Sequence, residues 1–589
     1  MKFGYEFVTL DNDQKHARRV LLEYYPAVAQ CSILAVFLGF QFYFFLSWLA
    51  GYGLEYERPK SPSFNKRLAG PSTWLKKSRQ FCDRIAWWLK KDTFSGWGTR
   101  AEWIGGGFWT VWLLYLSVVN TGDDYLHLTK RFGIIGASQL PLHYLLAMRA
   151  PYSPVQWVTR LSHEQLKASH QVLGRIIYLL FALHAIFYVN FFILSGFLAK
   201  RIKDKDVIFG IISLALFTAI STTALGQLRR WNYRVFYMSH VAIANILVVP
   251  LYLHVTHIRP YVWEVVAVNV LHLLFRAQRL KTYSGTVKLL PGTNLVQVRI
   301  PLTTMHSALN WQPGQHVYLS LPTGSPYSLS PKDQFALRNK ANPFTVASIP
   351  VKDKELLLVA RALAGNTKKL AELARSLSRD GQVPSIPLAI EGPYGASTHF
   401  PDLSTFDKVL LVAGGVGATF VMPIYRSMVD FNDRGYADVR CVWAVQKLAD
   451  TQWAFPTSTE GEGEEEEEGT SSESDADDVA HSAGAVEVFV TRGPGPGLQI
   501  GETGDDVELE EVDQLLSMEE EMKKARKGMV LKTGRPKIGA IVDEVFSTGS
   551  RVAVIACGPR RLTRKLNQSV EQWVKQGHEV FYHEESFAW

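Results

Sequence analysis

The sequence predicts a multi-span α-helical membrane domain, followed by an antiparallel β-barrel domain and an α/β (Rossmann-like) domain. Long apolar runs recur through residues 1–280, whereas short alternating strands and glycine-rich turns recur through residues 281–589. Residues 1–280 carry 31 basic and 15 acidic side chains, a net charge of +16, and residues 281–589 carry 32 and 40, a net charge of −8. The overall charge of +8 and the mean hydropathy near zero therefore average two unlike halves.

The apolar runs predict seven membrane spans. Most come close to the ~20 residues that a helix needs to cross a bilayer, and tryptophan and tyrosine, typical of the membrane interface, lie along the second run. Burial in a soluble core is the alternative, but seven such runs are hard to bury. The four cysteines are too few and too scattered for a disulfide framework. The predicted spans lie near 27–50, 103–121, 133–150, 170–196, 207–228, 236–257 and 261–276.

Basic residues in the short loops predict the orientation of the membrane domain. Lysine and arginine are concentrated in residues 51–102, in residues 228–235 and just after the last span. With seven spans these three segments lie on one side, which the positive-inside rule assigns to the cytosol together with residues 281–589. The loop at 200–206, with four basic residues, opposes this assignment. We expect a plasma-membrane protein, with the endoplasmic reticulum as the alternative.

Two histidine pairs stand at the same spacing on two of these spans. His170 and His184 are 14 residues apart, and so are His240 and His254. Fourteen residues at ~100° each place both members of a pair on one helix face, roughly 21 Å apart along the axis. Two such helices can hold two stacked haems by bis-imidazole ligation. The alternatives are interhelical hydrogen bonding for all four, and His257 in place of His254.

His143 is a fifth intramembrane histidine. It has no partner at a matching spacing, and we interpret it as structural.

The strands after residue 281 predict an antiparallel barrel with a flavin-type site. Pro343, Phe344 and Thr345 form a strand that can stack on a flavin ring, with Thr345 hydrogen-bonding the polar edge of the ring. Gly365 and Thr367 open a predicted helix, and the N-terminus of a helix suits a pyrophosphate.

The last third of the chain has the pattern of a nucleotide-binding α/β sheet. A buried strand at 408–413 leads into the glycine-rich turn Gly414–Thr419, and a second strand at 551–556 ends in Cys557-Gly558-Pro559. Glycines in such a turn let the backbone approach a phosphate, and ligands bind at the carboxyl ends of the strands.

An acidic tract interrupts this pattern. Residues 460–478 hold 11 acidic and no basic side chains, which predicts a disordered insertion over about 457–530. An exposed helix is predicted within it, at 508–527.

Together these motifs resemble the ferric reductase / NADPH oxidase superfamily, and most of all its fungal transmembrane metalloreductase-like members. The resemblance covers about 103–589. It implies a haem-binding transmembrane domain (103–280), a FAD-binding barrel (281–400) and an NADPH-binding domain of ferredoxin-reductase type that contains the acidic insertion (401–589). Residues 1–102 lie before this region, and their apolar run and basic residues predict an N-terminal anchor span with a basic cytosolic loop.

The resemblance also implies a role for each matching residue. The iron ligands of two b-type haems would be His170, His184, His240 and His254. FAD would contact Pro343, Phe344, Thr345, Ser348, Gly365 and Thr367, and Asn342 stands where the family usually has histidine. The NADPH site would be lined by Gly392, Gly414, Gly415, Gly417, Thr419, Cys557, Gly558 and Pro559, with Arg535 on the 2′-phosphate. Phe587 or Trp589 would cover the flavin ring. These two residues and Thr345 would be the residues closest to the site of hydride transfer.

The implied activity is electron transfer from NADPH through FAD and the two haems to an acceptor across the membrane. Ferric or cupric chelates are the expected acceptors, and the chain would be a metalloreductase. Dioxygen is the alternative acceptor, which would make it a superoxide-producing NADPH oxidase. A non-catalytic membrane scaffold or regulator is the alternative from another class. We expect no nucleic-acid partner, and the sequence leaves protein partners open.

Overall fold

The computed structural model describes most of the chain and divides it into two compact units, Met1–Gln278 and Arg279–Ala588. The described residues are 4–55, 73–91, 93, 98–149, 153–161, 163–304, 309–322, 342–363, 365–378, 383–395, 397, 400–432, 438–455, 485–491, 528–549 and 551–585. The predicted helix at 508–527 lies outside them.

The first unit is helical, as the apolar runs predict. Its α-helices are α1 (Asn12–Cys31), α2 (Ile33–Glu55), α3 (Thr73–Lys90), α4 (Arg100–Val118), α5 (Tyr125–Ser138), α6 (Leu140–Leu146), α7 (Pro154–Thr159), α8 (His163–Leu194), α9 (Leu198–Arg201), α10 (Lys205–Thr223), α11 (Gly226–Trp231), α12 (Tyr233–Ile246), α13 (Val248–His254) and α14 (Arg259–Arg279).

Five helical stretches among the described residues are long and apolar enough to cross a membrane. They match the first, fourth, fifth, sixth and seventh predicted spans and run over Asn12–Leu49, Gln165–Leu194, Lys205–Thr223, Val235–His254 and Thr256–Arg279. At most 22% of the apolar window in each is buried, so most of their side chains face outward. An apolar exterior of this kind suits lipid rather than water.

The expected count of seven such spans is not reproduced. The second predicted span forms α4, whose polar start and three consecutive glycines, Gly105–Gly107, lower its hydropathy. The third is divided at Gln139, where α5 ends and α6 begins with Pro141 near its N-terminus. A proline has no N–H to donate and restricts the residue before it, which favours a new helix start.

Helix α5 lies at the centre of the first unit. Twelve of its 14 residues are buried, and it packs against α1, α4 and α8. Because both faces of α5 are covered, its backbone carbonyls and glycines face neighbouring helices rather than the surroundings.

The second unit begins with the predicted antiparallel barrel. Six strands pair in the order β4-β3-β6-β1-β2-β5, and every pairing is antiparallel. A single bridge between Val346 and Leu358 joins β4 to β5 and brings the ends of the sheet together. The strands are β1 (Leu280–Leu289), β2 (Leu295–Pro301), β3 (His316–Ser320), β4 (Asn342–Thr345), β5 (Glu355–Arg361) and β6 (Ile386–Tyr394), with the helices α15 (Pro350–Asp353) and α16 (Gly365–Leu377).

The rest of the second unit is a six-stranded parallel sheet in the order β10-β9-β8-β7-β11-β12. The chain moves outward from β7 to β10 and then returns to the other side of β7 with β11, so the topological switch point lies between β7 and β11. The elements are β7 (Lys408–Gly414), α17 (Ala418–Asn432), β8 (Asp438–Val445), β9 (Val486–Val490), β10 (Met529–Thr533), α18 (Ile538–Thr548), β11 (Arg551–Cys557), α19 (Arg560–Gln576) and β12 (Glu579–Glu585).

One strand corrects the predicted extent of the acidic insertion. β9 lies inside 457–530 and pairs with both β8 and β10. Val486, Val488 and Val490 alternate along it and are buried in the sheet core. A strand with one apolar face of this kind belongs to the sheet, so the insertion is not one continuous disordered segment.

Candidate functional site

The structure brings the four predicted ligand histidines together in the expected pairs. The ring centroids of His170 and His240 are 6.3 Å apart, and those of His184 and His254 are also 6.3 Å apart. Two histidine–metal bonds of about 2.0–2.1 Å each, together with the distance from each ring centre to its coordinating nitrogen, span about 6 Å. Each pair is therefore spaced to hold one metal ion between its two rings.

Backbone carbonyls hold three of these four rings in one orientation. The Nδ1 atoms of His170, His184 and His254 lie 3.0, 2.8 and 2.6 Å from the carbonyl oxygens of His143, Thr129 and Asp206. An Nδ1–H donated to a carbonyl leaves Nε2 as the free nitrogen, which is how metal-ligating histidines are usually held. The Nδ1 of His240 is buried and has no hydrogen-bond partner within the described chain.

Glycines provide the space for the rings of His184 and His254. A Cβ added at Gly133 would lie 2.6 Å from Nδ1 of His184, and one at Gly210 would lie 2.7 Å from Cε1 of His254. Any larger residue at these positions would push the ring away. The sequence pattern does not reveal these glycines, because the contacts join helices that are distant along the chain.

The four histidines fit a haem better than a bare metal ion. Across the described residues there is no group of three or more histidine, cysteine, aspartate or glutamate side chains that could hold a metal ion. A tetrahedral zinc-type site needs four ligands, at least three of them from the protein, whereas a haem needs only its axial ligands. Two pairs of facing histidine rings meet the second requirement.

The positions of His254 and His257 differ in a way that bears on which of them could pair with His184. The His257 side chain is exposed on a short 3₁₀ turn, Thr256–Ile258, beyond the end of α13. His254 faces His184 across the bundle. The assignment of iron ligands remains a prediction, but the geometry favours His254.

The predicted flavin strand and the predicted pyrophosphate helix meet in the barrel. A small cleft is lined by Asn342 and Phe344 of β4 and by Asn366 near the start of α16. Gly365 opens that helix with φ +61°, a left-handed conformation that glycine adopts at no steric cost. Thr367 stands in the first turn of the helix. The residues proposed for the flavin thus come from elements that are in contact.

Three residues of the flavin motif differ in what their side chains do. Phe344 packs in the barrel core and also lines the small cleft. The Ser348 hydroxyl accepts a hydrogen bond from the Leu357 backbone N–H at 3.0 Å, so it ties β4 to β5. Thr345 lies opposite His316 on the other face of β4 from Phe344, and Pro343 is half-buried. The FAD contacts of this motif remain predictions for all four residues, Pro343, Phe344, Thr345 and Ser348.

The two nucleotide motifs meet at the switch point. Ala413 of β7 pairs with Cys557 of β11. A Cβ added at Gly414 would lie 2.6 Å from Cδ of Pro559, and one added at Gly417 would collide with the Cys557 carbonyl oxygen. Only glycine permits this packing, which places the turn directly before the N-terminus of α17.

Other residues of the nucleotide motifs complete this turn. Gly415 has φ +55° with open space around it, and the Thr419 hydroxyl donates to the Val416 carbonyl at 2.9 Å. A Cβ at Gly558 would lie 3.0 Å from the Gly414 backbone. Burial raises the pKa of the Cys557 thiol well above its ordinary value. The side chain therefore stays a neutral thiol that packs like a small apolar residue and does not act as a thiolate nucleophile.

The remaining predicted nucleotide residues are placed apart from this turn. Arg535 is exposed at the carboxyl end of β10, the sheet edge at which ligands bind. Gly392 lies in β6 of the barrel, where a Cβ would contact Val317 and His316, so its place in the nucleotide site remains a prediction. Phe587 and Trp589 lie outside the described residues.

The fold and the site define a membrane-embedded flavoprotein oxidoreductase, and three family models match it in chain order. They are the ferric reductase like transmembrane component at residues 132–251, a FAD-binding domain at 279–398 and the ferric reductase NAD binding domain at 406–571. The chain therefore belongs to the ferric reductase superfamily, which confirms the resemblance seen in its motifs.

Curated relatives carry compatible names. The chain is 26% identical to the probable metalloreductase AIM14 of Meyerozyma guilliermondii, over 79% of this chain and 85% of that protein. It is 28% identical to a probable ferric reductase transmembrane component of Eremothecium gossypii and 29% identical to ferric reductase transmembrane component 4 of Saccharomyces cerevisiae. Those alignments cover 58% and 49% of this chain but only 51% and 38% of the two relatives.

Among solved structures, phthalate dioxygenase reductase aligns with a TM-score of 0.29 and 11% identity over 52% of this chain and 68% of that chain. A score this low adds nothing to the assignment.

Proposed function

We propose that this protein is an NADPH-dependent transmembrane metalloreductase that carries FAD and two b-type haems and reduces ferric or cupric chelates across the membrane. The observation that carries the proposal is the arrangement of four histidines in two facing pairs, with 6.3 Å between the ring centroids of each pair. The same chain also carries FAD-binding and NAD-binding domains. When bound, the haems and FAD would supply the electron-carrying chemistry, which side chains alone cannot provide.

The helical unit would hold and insulate the two haems. His170 and His240 would hold one haem through their ring nitrogens, and His184 and His254 would hold the other. The carbonyls of His143, Thr129 and Asp206 fix the tautomers of three of these ligands. Held by two protein histidines each, the haems would supply electron transfer to an external acceptor.

The second unit would bind the reductant. The Gly414–Thr419 turn and the Cys557–Pro559 turn form a glycine-lined cradle at the switch point, where a dinucleotide can bring its phosphates close to the backbone. Arg535 supports NADPH over NADH because a planar guanidinium can bind a 2′-phosphate with two parallel hydrogen bonds. Phe587 or Trp589 would cover the flavin ring, and Thr345 would contact its polar edge.

Orientation and compartment are part of the proposal. The excess of lysine and arginine in residues 51–102 and 228–235 supports a cytosolic side for these loops and for residues 281–589. A plasma-membrane location is supported by a relative from Aspergillus oryzae named probable cell surface ferric reductase kap2, 26% identical over 58% of this chain. On that orientation the acceptor would be reduced outside the cell.

The acceptor can be tested directly. Membranes that contain the full chain should reduce a ferric chelate with NADPH as donor, and the rate should be unchanged by superoxide dismutase. His184→Ala should abolish the reduction, whereas His257→Ala, which removes an exposed histidine of the same unit, should not. Complete loss of the signal under dismutase would instead identify a superoxide-producing oxidase. Absence of any NADPH-driven reduction would point to a scaffold or regulator.

A further inference from the structure

His143, on α6, lies flat against one of the proposed haem ligands. Its ring and that of His170 are parallel within 9°, with centroids 3.9 Å apart. The backbone carbonyl of His143 also lies 3.0 Å from Nδ1 of His170. One residue thus contacts the His170 ring twice, on its face through the imidazole and at its edge through the carbonyl.

The opposing helix is shaped to receive this ring. Gly174 lies one turn after His170 on α8, and a Cβ there would lie 2.9 Å from Cε1 of His143. Real side chains do not come that close without displacement, so any residue other than glycine at 174 would move the His143 ring. The stacked position of the ring therefore depends on Gly174.

Burying a histidine for packing alone would be energetically unfavourable. The Nδ1 of His143 is buried and has no hydrogen-bond partner among the described residues. A buried polar atom without a partner costs free energy, and an apolar side chain of similar size would avoid that cost. The imidazole stacks on His170, which gives it a role that an aliphatic side chain could not fill.

We propose that His143 is a positioning residue that sets the ring plane of the axial ligand His170, with Gly174 as the residue that permits it. This inference rests on the proposed haem ligation. The planes of His170 and His240 are 66° apart, whereas those of His184 and His254 are 89° apart. Because the angle between two axial imidazole planes governs the g-anisotropy of a low-spin ferric haem, the two haems should give distinct electron paramagnetic resonance signals.

The test uses the full chain in detergent, with haem content and the ferric resonance spectrum as readouts. His143→Leu keeps the backbone carbonyl and removes the stack, so it should retain two haems per chain but shift the g-values of one signal only. His143→Phe keeps a flat ring and should stay closer to wild type. The exposed control His257→Leu should leave both signals in place.

Gly174→Ala should reproduce the shift of His143→Leu, and it should add nothing in a His143→Ala background, because the displaced ring is then absent. A His143→Leu spectrum that superimposes on wild type would overturn the inference, as would loss of the haem in both the Leu and the Phe variants or independent effects of the two substitutions in the double variant. A wild-type chain without haem would instead refute the proposed function.

Discussion

Individual rings in the helical unit are fixed by groups that are far from them in sequence. The His184 ring hydrogen-bonds the Thr129 carbonyl at its edge and packs against Gly133, where a larger residue would displace it. Both residues belong to the buried helix α5. His254 is held by the Asp206 carbonyl and Gly210 in the same way. His184 and His254 thus share two supporting contacts. In each case a backbone carbonyl accepts a hydrogen bond from Nδ1, and a glycine leaves space for the ring.

Substitution of Gly133 by alanine should weaken retention of the haem that His184 and His254 would hold. The new Cβ would lie 2.6 Å from the Nδ1 of His184 and disturb its hydrogen bond to Thr129. Disruption of such supporting contacts typically costs about 10–100-fold in metal affinity. The haem content of the purified chain would measure the loss.

Gly107→Ala is the matched control, since nothing lies within 4 Å of that position and alanine favours a helix. Equal haem content in all three proteins would contradict this account of the site.

Arg535 should determine the choice of pyridine nucleotide. Hydrogen bonds to a charged partner contribute about 1.5–3 kcal/mol, so Arg535→Ala should raise the KM for NADPH about 10- to 100-fold and leave the KM for NADH unchanged. Steady-state reduction assays with both donors would measure it. Lys537→Ala, at an exposed position two residues away, should change neither value, and a parallel rise for NADPH and NADH in Arg535→Ala would remove the residue from the 2′-phosphate site.

At the level of elements, an ion-pair network joins three strands at one edge of the parallel sheet. Glu487 on β9 lies between Arg440 on β8 and Lys532 on β10, at 2.6 and 2.7 Å, and its side chain is only 15% exposed. Burial by itself would raise the pKa of this carboxyl, but the hydrogen bonds and charges of the two cations outweigh it and lower the pKa. The network thus anchors β9, which is flanked on both sides by acidic or undescribed sequence.

Glu487→Gln should destabilise the second unit at neutral pH by about 1–3 kcal/mol. Because the folded-state pKa is lowered, the stabilisation is complete above the unfolded pKa of about 4.3 and is lost as the pH falls through the folded pKa. The difference between wild type and variant should therefore vanish in acid. Urea unfolding monitored by release of flavin would measure it.

Asp438→Asn removes an exposed partner of Lys408 on the same sheet and should cost less than about 1 kcal/mol. A loss for Glu487→Gln that is equally large at pH 7 and at pH 3 would contradict the ion-pair account.

The sequence predicts those elements whose signal is local. Apolar runs predict the five long helices, and the strand–glycine–helix pattern at 408–419 predicts the switch point. β9 was not foreseen because its five residues lie within a long acidic stretch, and only its pairing with β8 and β10 defines it. The break between α5 and α6 was obscured because apolar residues continue through it on both sides.

Site residues divide in the same way. The 14-residue spacing identifies four histidines, but it is silent about His143, Gly133, Gly174 and Gly210, whose roles depend on contacts between helices. The order of residues in the flavin motif also does not reveal which side chains pack in the barrel core. In the structure Phe344 is one of them.

At the scale of the whole molecule, two units with opposite charge and opposite solvent requirements share one chain. Unit Met1–Gln278 presents apolar helices outward, and unit Arg279–Ala588 buries apolar strands inside a barrel and a parallel sheet. The proposed function requires both, because the predicted reductant site and the predicted haem-ligating histidines would serve one activity only if electrons passed between them.

The most direct test is the haem content of the purified full chain, measured as a reduced-minus-oxidised difference spectrum with NADPH as donor. The proposed function predicts two b-type haems per chain in wild type, one in His184→Ala, and two in the control His257→Ala. Absence of a b-type spectrum in wild type, or an unchanged haem count in His184→Ala, would contradict it.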